Sequence, residues 1–156
     1  MDFDTREFRN ALGRYPTGVA VVTAVESERL RGITVSSFTS LSLDPPLVLW
    51  SIAKSSRRYQ TFTKAPEFTV SVLGEDGRAA AETIAAGDDV ETVPLEDGDG
   101  PPAIAGALAV FHCRREWLYD GGDHVVIVGR VLGFRHRDGN PLVFCDGRYG
   151  TLANSE

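Results

Sequence analysis

Short hydroxyl side chains are concentrated in one segment of this sequence, residues 34–42. Six of its nine residues are serine or threonine, in the order Thr-Val-Ser-Ser-Phe-Thr-Ser-Leu-Ser. The β-branched and aromatic residues favour a β-strand, yet exposed strands alternate polar with apolar side chains and buried strands avoid so many hydroxyls. Hydroxyls beside backbone amides can hydrogen-bond the edge of a large, planar, polar ligand. The segment is therefore predicted to be a strand that contributes to such a binding surface.

A second polar segment follows an apolar run and a predicted strand. It reads Ser55-Ser56-Arg57-Arg58-Tyr59 and is predicted to open a helix over residues 56–64. A helix N-terminus with hydroxyl and guanidinium groups is a suitable site for a phosphate. A surface for a polar ring followed by a phosphate site is what a flavin nucleotide requires. The alternative is a Ser/Thr-rich edge strand followed by an ordinary N-cap, with Arg57 and Arg58 as solvated helix residues.

Several motifs of this chain resemble, in the right order, those of the flavin reductase-like, FMN-binding split-barrel family. They are Tyr-Pro-Thr-Gly-Val-Ala-Val-Val-Thr at 15–23, the segment 32–47 that ends in Asp-Pro-Pro-Leu, and Gly122-Asp123-His124 with Ile-Val-Gly-Arg-Val at 127–131. The resemblance extends from about Phe8 to Tyr149. Its most specific part is the hydroxyl-rich segment closed by Asp-Pro-Pro.

The resemblance implies a fold and an activity. The fold is a mainly β, antiparallel FMN-binding split barrel with short helices, usually a homodimer with the flavin near the subunit interface. The activity is that of an NAD(P)H-dependent flavin reductase, in which NADH or NADPH reduces FMN or FAD and the reduced flavin leaves for a separate monooxygenase component. Two alternatives are a flavin-binding electron carrier and a non-enzymatic ligand-binding module on the same barrel.

The resemblance also assigns cofactor-binding residues to the two polar segments and to the C-terminal region. They are Thr34, Val35, Ser36, Ser37 and Ser40, then Ile52, Ala53, Ser55, Ser56 and Tyr59, and finally Arg148 and Tyr149. The first group is expected to hold the isoalloxazine ring and the second the phosphate. Tyr149 belongs to a closing Gly-x-Tyr segment that lies near the nicotinamide in the family. It is equally compatible with an aromatic residue that covers the barrel end.

His124 is the one predicted catalytic residue. It follows Asp123 at the start of a predicted strand, and the resemblance places this pair at the reacting face of the flavin. Hydride transfer needs no acid or base at carbon, so the expected role is to position the nicotinamide or to hold a proton near flavin N1. The alternative is a strand-end histidine bonded to a backbone carbonyl. His112, His124 and His136 have a spacing that suits no usual metal motif, and no metal site is predicted.

The elements expected to position these residues are mainly strands. The sequence predicts a first helix capped by Asp4, with Glu7 completing a capping box and Phe3 and Phe8 forming a hydrophobic staple. Further helices are predicted at 56–64 and 78–86. Strands are predicted at 19–25, 30–38, 47–53, 68–73, 107–118, 124–134 and 142–145, and an irregular segment at 87–106. Hairpin spacing without strand-helix alternation favours an antiparallel barrel over a Rossmann unit.

The bulk properties restrict the class of protein. The 156 residues suit a single domain, 1–156, and a net charge of −6 argues against nucleic acid or an anionic membrane as a partner. Cys113 and Cys145 are expected to be buried thiols inside strands. The N-terminus has no signal-peptide pattern and no apolar run is long enough to span a bilayer, so a cytoplasmic location is expected.

Overall fold

Local signals specify the first helix. In the computed structural model, which describes residues 2–87 and 90–153, α1 spans Thr5–Gly13. The Asp4 carboxylate accepts hydrogen bonds from the backbone N–H groups of Arg6 and Glu7, at 2.8 and 3.4 Å. The rings of Phe3 and Phe8 meet edge-on with centroids 5.1 Å apart, which confirms the predicted staple. No residue of α1 is buried.

Strands make up most of the remaining elements. The strands are β1 (Thr17–Gly18), β2 (Ala20–Glu26), β3 (Arg29–Val35), β4 (Thr39–Leu43), β5 (Pro46–Ala53), β6 (Glu67–Val72), β7 (Leu95–Glu96), β8 (Ala103–Ile104), β9 (Ala109–Gly121), β10 (His124–His136), β11 (Leu142–Cys145) and β12 (Arg148–Thr151). The other elements are α2 (Tyr59–Lys64), α3 (Arg78–Ala85) and 3₁₀ turns at Glu75–Gly77 and Val90–Thr92.

One seven-stranded antiparallel sheet forms the body of the fold, in the order β3-β2-β6-β9-β10-β5-β4. A three-stranded sheet, β1-β11-β12, and a small pair, β7-β8, accompany it. The edge strands β3 and β4 are joined by only residues 36–38. Four residue steps span at most about 14 Å, whereas the edges of a flat seven-stranded sheet are about 29 Å apart. The sheet must therefore curl until the joined ends of its two edge strands lie within about 14 Å of each other, and the predicted mainly β, antiparallel fold is confirmed.

Strand β2 is buried on both faces and separates two cores. On one face, Ala20, Val22 and Ala24 join a core built around Trp50, Phe62 and Phe68. On the other face, Val21 packs with Leu73, Ala81, Ile84, Val90, Ile104 and Leu142, so α3 covers this side of the sheet. The predicted helix at 78–86 is confirmed, and Gly87 follows it with a φ of +93°. No helix among residues 2–87 and 90–153 has the length and hydropathy required to cross a membrane.

Several sequence-based boundaries were wrong. The predicted strand 30–38 ends at Val35, because residues 36–38 turn between the two sheet edges. The predicted helix 56–64 begins at Tyr59, and residues 54–58 form turns instead. The segment 87–106, of which Asp88 and Asp89 lie outside the described residues, contains a 3₁₀ turn and the β7-β8 pair, with Val90 and Ile104 buried in the α3-side core.

A bulge in β9 also changes which side chains share a face. Trp117 lies opposite Val128 and Arg115 opposite Gly129, so Glu116 is the extra residue. As a result Trp117 is 43% exposed although Cys113, four residues earlier in the strand, is fully buried. Strand β12 was not predicted. It pairs with β11 through an Asp146-Gly147 turn in which both residues have positive φ.

Candidate functional site

The C-terminal half of β3 lines a small open cavity beneath α3. We call it the Ser36 cavity. It has a volume of about 150 Å³ and is lined by Val19, Thr34, Val35, Ser36, Ala85, Phe144 and Tyr149. Three predicted ring-binding residues and the predicted Tyr149 therefore come together, although Tyr149 is more than a hundred positions away in the sequence.

Two hydroxyls of the predicted ring-binding segment have structural partners. The Thr34 hydroxyl donates to the backbone carbonyl of Ala81 in α3, at 2.8 Å. The Ser37 hydroxyl donates to the carbonyl of Ser51 at 3.1 Å and accepts from its N–H at 3.0 Å, which continues the β4-β5 register beyond the end of β4. Ser36, between them, is exposed and lines the cavity. Its side chain is thus the best placed of the three to bind a ligand.

Two aromatic side chains form the far wall of the Ser36 cavity. Tyr149 and Phe144 meet edge-on with ring centroids 5.3 Å apart, and the Arg78 guanidinium lies 5.4 Å from the Tyr149 ring. Burial raises the pKa of the Tyr149 hydroxyl, and the charge of Glu82 adds to this effect. The phenol is therefore neutral at physiological pH and presents a flat, polarised ring with a proton to donate. Arg148 is exposed beside it.

The other predicted residues of the hydroxyl-rich segment and of the phosphate segment are spread over a larger surface. Ser40 is exposed on β4 and does not line the Ser36 cavity. Ile52 is only 1% exposed and belongs to the core, so its side chain is not available to a cofactor. The Ser56 hydroxyl accepts from the Arg58 N–H at 3.1 Å, whereas Ser55 is exposed. Tyr59 is half-buried and packs against the core.

His124 is the first residue of β10 and lies beside the phosphate segment. It is paired with Ala53 across the β5-β10 ladder, and its Nδ1 lies 2.8 Å from the Asp123 carboxylate. The backbone N–H of Lys54 donates to the Asp123 carbonyl at 2.9 Å, and the Lys54 ammonium forms an ion pair with Asp120. We call Lys54, Asp120, Asp123 and His124 the hairpin cluster. The fold thus fixes the turn after β5 to the β9-β10 hairpin.

Electrostatics in the hairpin cluster favour the charged forms of its acids. The hydrogen bond and charge of Lys54 lower the pKa of Asp120 and those of His124 lower the pKa of Asp123. The hydrogen bond to Asp120 raises the pKa of Lys54. Asp123 orients the imidazole so that Nε2 is directed away from the carboxylate. The His124 side chain is 45% exposed, so the imidazole is partly accessible to a ligand.

The hairpin cluster and the Ser36 cavity are linked through β5. Ser37 is bonded to Ser51, and Ala53, two residues further along, lies opposite His124. Two residues of a strand cover about 7 Å. Ser37 of the predicted ring-binding segment and the predicted catalytic His124 therefore lie near each other at the C-terminal end of β5.

Sequence reasoning did not identify Val19, Ala85 and Phe144 as residues of the cavity. The Asp146-Gly147 dipeptide was the available signal for Phe144, because Asp-Gly between apolar runs is typical of a tight hairpin. That hairpin places Phe144 opposite Tyr149. Among the described residues no three His, Cys, Asp or Glu side chains are grouped to hold a metal ion, and burial raises the pKa of the Cys113 thiol to about 12.

Comparisons with known proteins agree with this geometry. The profile of the flavin reductase like domain matches residues 12–153. FMN reductase (NADH) SmoA of Agrobacterium fabrum is 50% identical over 152 residues, which cover 96% of this chain and 87% of that protein. The reductase component of 4-hydroxyphenylacetate 3-monooxygenase of Thermus thermophilus is 41% identical, with 93% and 95% covered.

A solved structure is similar over nearly the whole chain. It is the NADH:FAD oxidoreductase SgcE6 of Streptomyces globisporus in complex with NAD and FAD fragments. The two chains are 39% identical and superpose with a TM-score of 0.91, covering 96% of this chain and 93% of that one. The fold of this chain is thus similar to that of a protein solved in complex with NAD and FAD fragments.

Proposed function

Because this chain belongs to the flavin reductase-like domain family, we propose that it is a single-domain (residues 1–156), NADH-dependent flavin reductase that supplies reduced FMN or FAD to a separate monooxygenase. The observation that carries the proposal is the 50% identity, over nearly its full length, to a relative named an FMN reductase (NADH). The relative named as a monooxygenase reductase component supports the oxygenase partner. NADPH is the alternative reductant and FAD the alternative flavin.

The Ser36 cavity fits the ring end of a flavin. Its lining combines small and polar groups at Thr34, Val35 and Ser36 with an aromatic wall at Tyr149, as a planar ring with one polar edge requires. Val35 and Ser37 contribute mainly through the backbone, because Val35 is buried and the Ser37 hydroxyl is bonded to Ser51. Ser40 and Arg148 are assigned to the rim.

His124 is proposed as the residue that acts on the reacting edge. A bound flavin supplies the hydride-accepting chemistry, so the chain itself has to bind, orient and exclude water. The Asp123 carboxylate fixes the imidazole through Nδ1, which leaves Nε2 to position the nicotinamide or to hold a proton near the flavin. The turn after β5 is proposed to bind the phosphate through Ser55, Ser56 and the backbone of Ala53, while Tyr59 and Ile52 support the turn from the core.

A homodimer is proposed because one chain encloses too little space for a nucleotide. Ligand sites are typically about 300–1,000 Å³ in volume, and the Ser36 cavity has about 150 Å³. Large apolar side chains that a second copy would cover include Leu43, 96% exposed, and Phe134, 70% exposed. We also propose a cytoplasmic location, since both cysteines are free thiols and free thiols are typical of a reducing compartment.

Steady-state NADH oxidation by the purified chain tests the proposed function. We expect continuous NADH consumption that requires added FMN or FAD, whereas an electron carrier would consume one equivalent of NADH and stop. A module that only binds a ligand would consume none. Sedimentation velocity measured in the same buffer tests the dimer. Turnover without added flavin, with no flavin bound to the protein, would contradict the proposal.

A further inference from the structure

The aromatic wall of the Ser36 cavity is carried by a short edge strand. Within the part of the chain that the structure describes, β12 pairs with β11 alone, and Tyr149 is the one residue of β12 that is not exposed. Pairing along one edge constrains the backbone of such a strand but leaves its side chains free to change rotamer. The position of the Tyr149 ring therefore depends on the contacts that the ring itself makes.

Arg78 provides one of these contacts from α3. Its guanidinium lies over the Tyr149 ring, 5.4 Å from the centroid, within the distance at which a cation is attracted to an aromatic face. Phe144 meets the same ring edge-on. The described residues that line the Ser36 cavity include Tyr149 and Phe144 but not Arg78. Arg78 thus contacts the wall of the cavity and not its interior.

Helix α3 connects two sides of the cavity. The Thr34 hydroxyl on β3 donates to the Ala81 carbonyl of α3 at 2.8 Å, and Ala85 at the end of the helix lines the cavity. Arg78, at the start of the same helix, reaches Tyr149 on β12. The helix therefore holds the strand on one side of the cavity and the aromatic wall on the other.

The stability of α3 does not account for an arginine at this position. Arg78 is the first residue of the helix, where the helix dipole disfavours a positive charge, and Gly77 before it has no side chain to cap the helix. Arg78 Nε donates to Glu82 Oε1 at 2.7 Å, but a cation four positions before an acid is the less stabilising order. Both side chains are at least half exposed, so the ion pair alone contributes little. The contact with Tyr149 gives Arg78 a role that helix formation does not.

Arg78 and Glu82 act on the Tyr149 hydroxyl in opposite directions. Burial raises the pKa of this phenol and the charge of Glu82 raises it further, whereas the charge of Arg78 lowers it. The phenol stays protonated at neutral pH, and a cation over its ring makes the O–H group a stronger donor. Arg78 thus affects both the position of the wall and the hydrogen bond that the wall can offer to a ligand.

We propose that Arg78 is a positioning residue of the flavin site, which holds the Tyr149 ring in place as a wall of the Ser36 cavity. The proposal deepens the proposed function and rests on it. A wall that is already in place favours binding of a planar ring, because less side-chain freedom is lost when the ligand binds. Riboflavin and FMN share the isoalloxazine ring, so the contribution of Arg78 should be the same for both.

Equilibrium titration of riboflavin and FMN into matched variants tests the proposal, with binding followed by quenching of flavin fluorescence. Arg78→Met keeps an unbranched side chain and removes the charge, whereas Arg78→Lys keeps the charge. Arg78→Met is also combined with Tyr149→Leu to complete a double-mutant cycle. The control is Arg9→Met, which removes the same charge from the exposed surface of α1. If Tyr149→Leu does not fold, as judged by circular dichroism, the comparison of Arg78→Met with Arg78→Lys decides alone.

We expect Arg78→Met to bind riboflavin and FMN about two- to fivefold more weakly, the effect of one exposed contact between a cation and an aromatic ring. Arg78→Lys should retain most of the wild-type affinity, and Arg9→Met all of it. In the Tyr149→Leu background, the loss of Arg78 should have no further effect, because the ring through which it acts is absent.

Four results would overturn the proposal. One is unchanged affinity in Arg78→Met, and another is an Arg78→Lys variant that binds as weakly as Arg78→Met, because the charge would then be irrelevant. A third is an equal loss in the Tyr149→Leu background, which would mean that Arg78 acts on the flavin directly. The fourth is a loss for FMN that riboflavin does not share, which would assign Arg78 to the phosphate.

Unfolding without ligand separates this proposal from the proposed function. The four proteins of the cycle are denatured chemically in the absence of flavin, and Arg78 and Tyr149 should be coupled in the free energy of unfolding. Absence of coupling overturns the contact on which the proposal rests. If the wild type binds no flavin, the proposed function fails and the proposal falls with it. If the wild type binds flavin and Arg78→Met binds it equally well, the proposal alone fails.

Discussion

The hydroxyls of Thr34 and Ser37 are bonded to the backbone of α3 and β5, whereas the charged side chains of the hairpin cluster bind one another at the surface. Both regions belong to the proposed site, and both are polar. The first is held by hydrogen bonds within the fold, between elements far apart in sequence. The second is held by exposed ion pairs, which typically contribute 0–1 kcal/mol and weaken with salt.

The two regions therefore contribute to one site in different ways, the first through stability and the second through turnover. A bond that fixes a buried segment is lost together with stability, because the partner group is left unsatisfied. An exposed ion pair exchanges readily with water or a ligand, so its loss changes stability little. Substitutions in the first region should therefore change unfolding, and substitutions in the second should change turnover.

The largest expected effect is on turnover, at His124. We expect His124→Ala to slow NADH-dependent flavin reduction roughly ten- to a hundredfold, the effect of lost orientation plus one lost hydrogen bond. Stopped-flow measurement with deuterated NADH isolates the hydride step, which should slow, and the Michaelis constant for NADH should rise. Flavin affinity and the free energy of unfolding should be unchanged. Loss of flavin binding in the folded variant would instead place His124 with the ring-binding residues, and wild-type turnover would make it a strand-end residue only.

The next effect is on stability, at Ser37. Ser37→Ala leaves the N–H and the carbonyl of Ser51 without their partner at the end of β4, so we expect the free energy of unfolding to fall by about 1–3 kcal/mol. For a chain of this size that corresponds to a melting temperature lower by roughly 2–4 °C per kcal/mol. Chemical denaturation of the wild type and the variant measures this change in the free energy of unfolding. A variant as stable as the wild type would show that water replaces the hydroxyl without cost.

Ser36→Ala removes the hydroxyl of the neighbouring serine and should have the opposite pattern of effects, with weaker flavin binding and unchanged stability. Ser36 is exposed and lines the Ser36 cavity, so its loss should leave unfolding unchanged. Flavin affinity should fall several-fold, since a hydrogen bond between neutral groups is worth about 1 kcal/mol. The double variant Ser36→Ala/Ser37→Ala should show the sum of the two effects. If Ser36→Ala destabilises the fold and binds flavin normally, the assignment of the two serines is reversed.

The smallest expected effect is a pH dependence at Asp120. The Lys54 contact lowers the pKa of this carboxyl below its ordinary value of 3.8. A carboxyl whose pKa is lower in the folded state stabilises the protein above its unfolded-state pKa, and this contribution disappears as the pH falls through the folded-state pKa. Wild type and Asp120→Asn should therefore differ slightly in stability at neutral pH and converge below about pH 4. Added salt should reduce the difference, whereas a gap that persists in strong acid would contradict the ion-pair origin.

The sequence predicted those elements that are specified locally. Asp4 and Phe3 mark the start of α1 because their partners are two to five residues away, and β11 has the predicted bounds. It did not predict that the hydroxyl-rich strand breaks at Ser36, because the break follows from the meeting of two sheet edges. Likewise α2 begins at Tyr59, since residues 54–58 turn to follow the contact between Lys54 and the β9-β10 hairpin.

The site was predictable where one segment supplies it and unpredictable where distant segments meet. Thr34, Val35 and Ser36 are consecutive and were named from a single pattern, and the resemblance added Tyr149 and His124. Phe144 was missed although Asp146-Gly147 signals the hairpin that contains it, because it enters the cavity only when the three-stranded sheet is brought against β3. The resemblance assigned Ile52 to the cofactor, but the alternation of β5 directs its side chain into the core.

The three residues between β3 and β4 have a consequence for the dynamics of the whole sheet. Because they span the gap between its two edges, the distance between those edges and the shape of the Ser36 cavity cannot vary independently. A ligand that fills the cavity should therefore suppress opening motions of both edge strands, including parts of them that it does not touch. In amide hydrogen exchange, flavin should slow exchange along β4 as well as along β3. Without ligand, opening motions of the sheet should be most frequent where these two edge strands are joined.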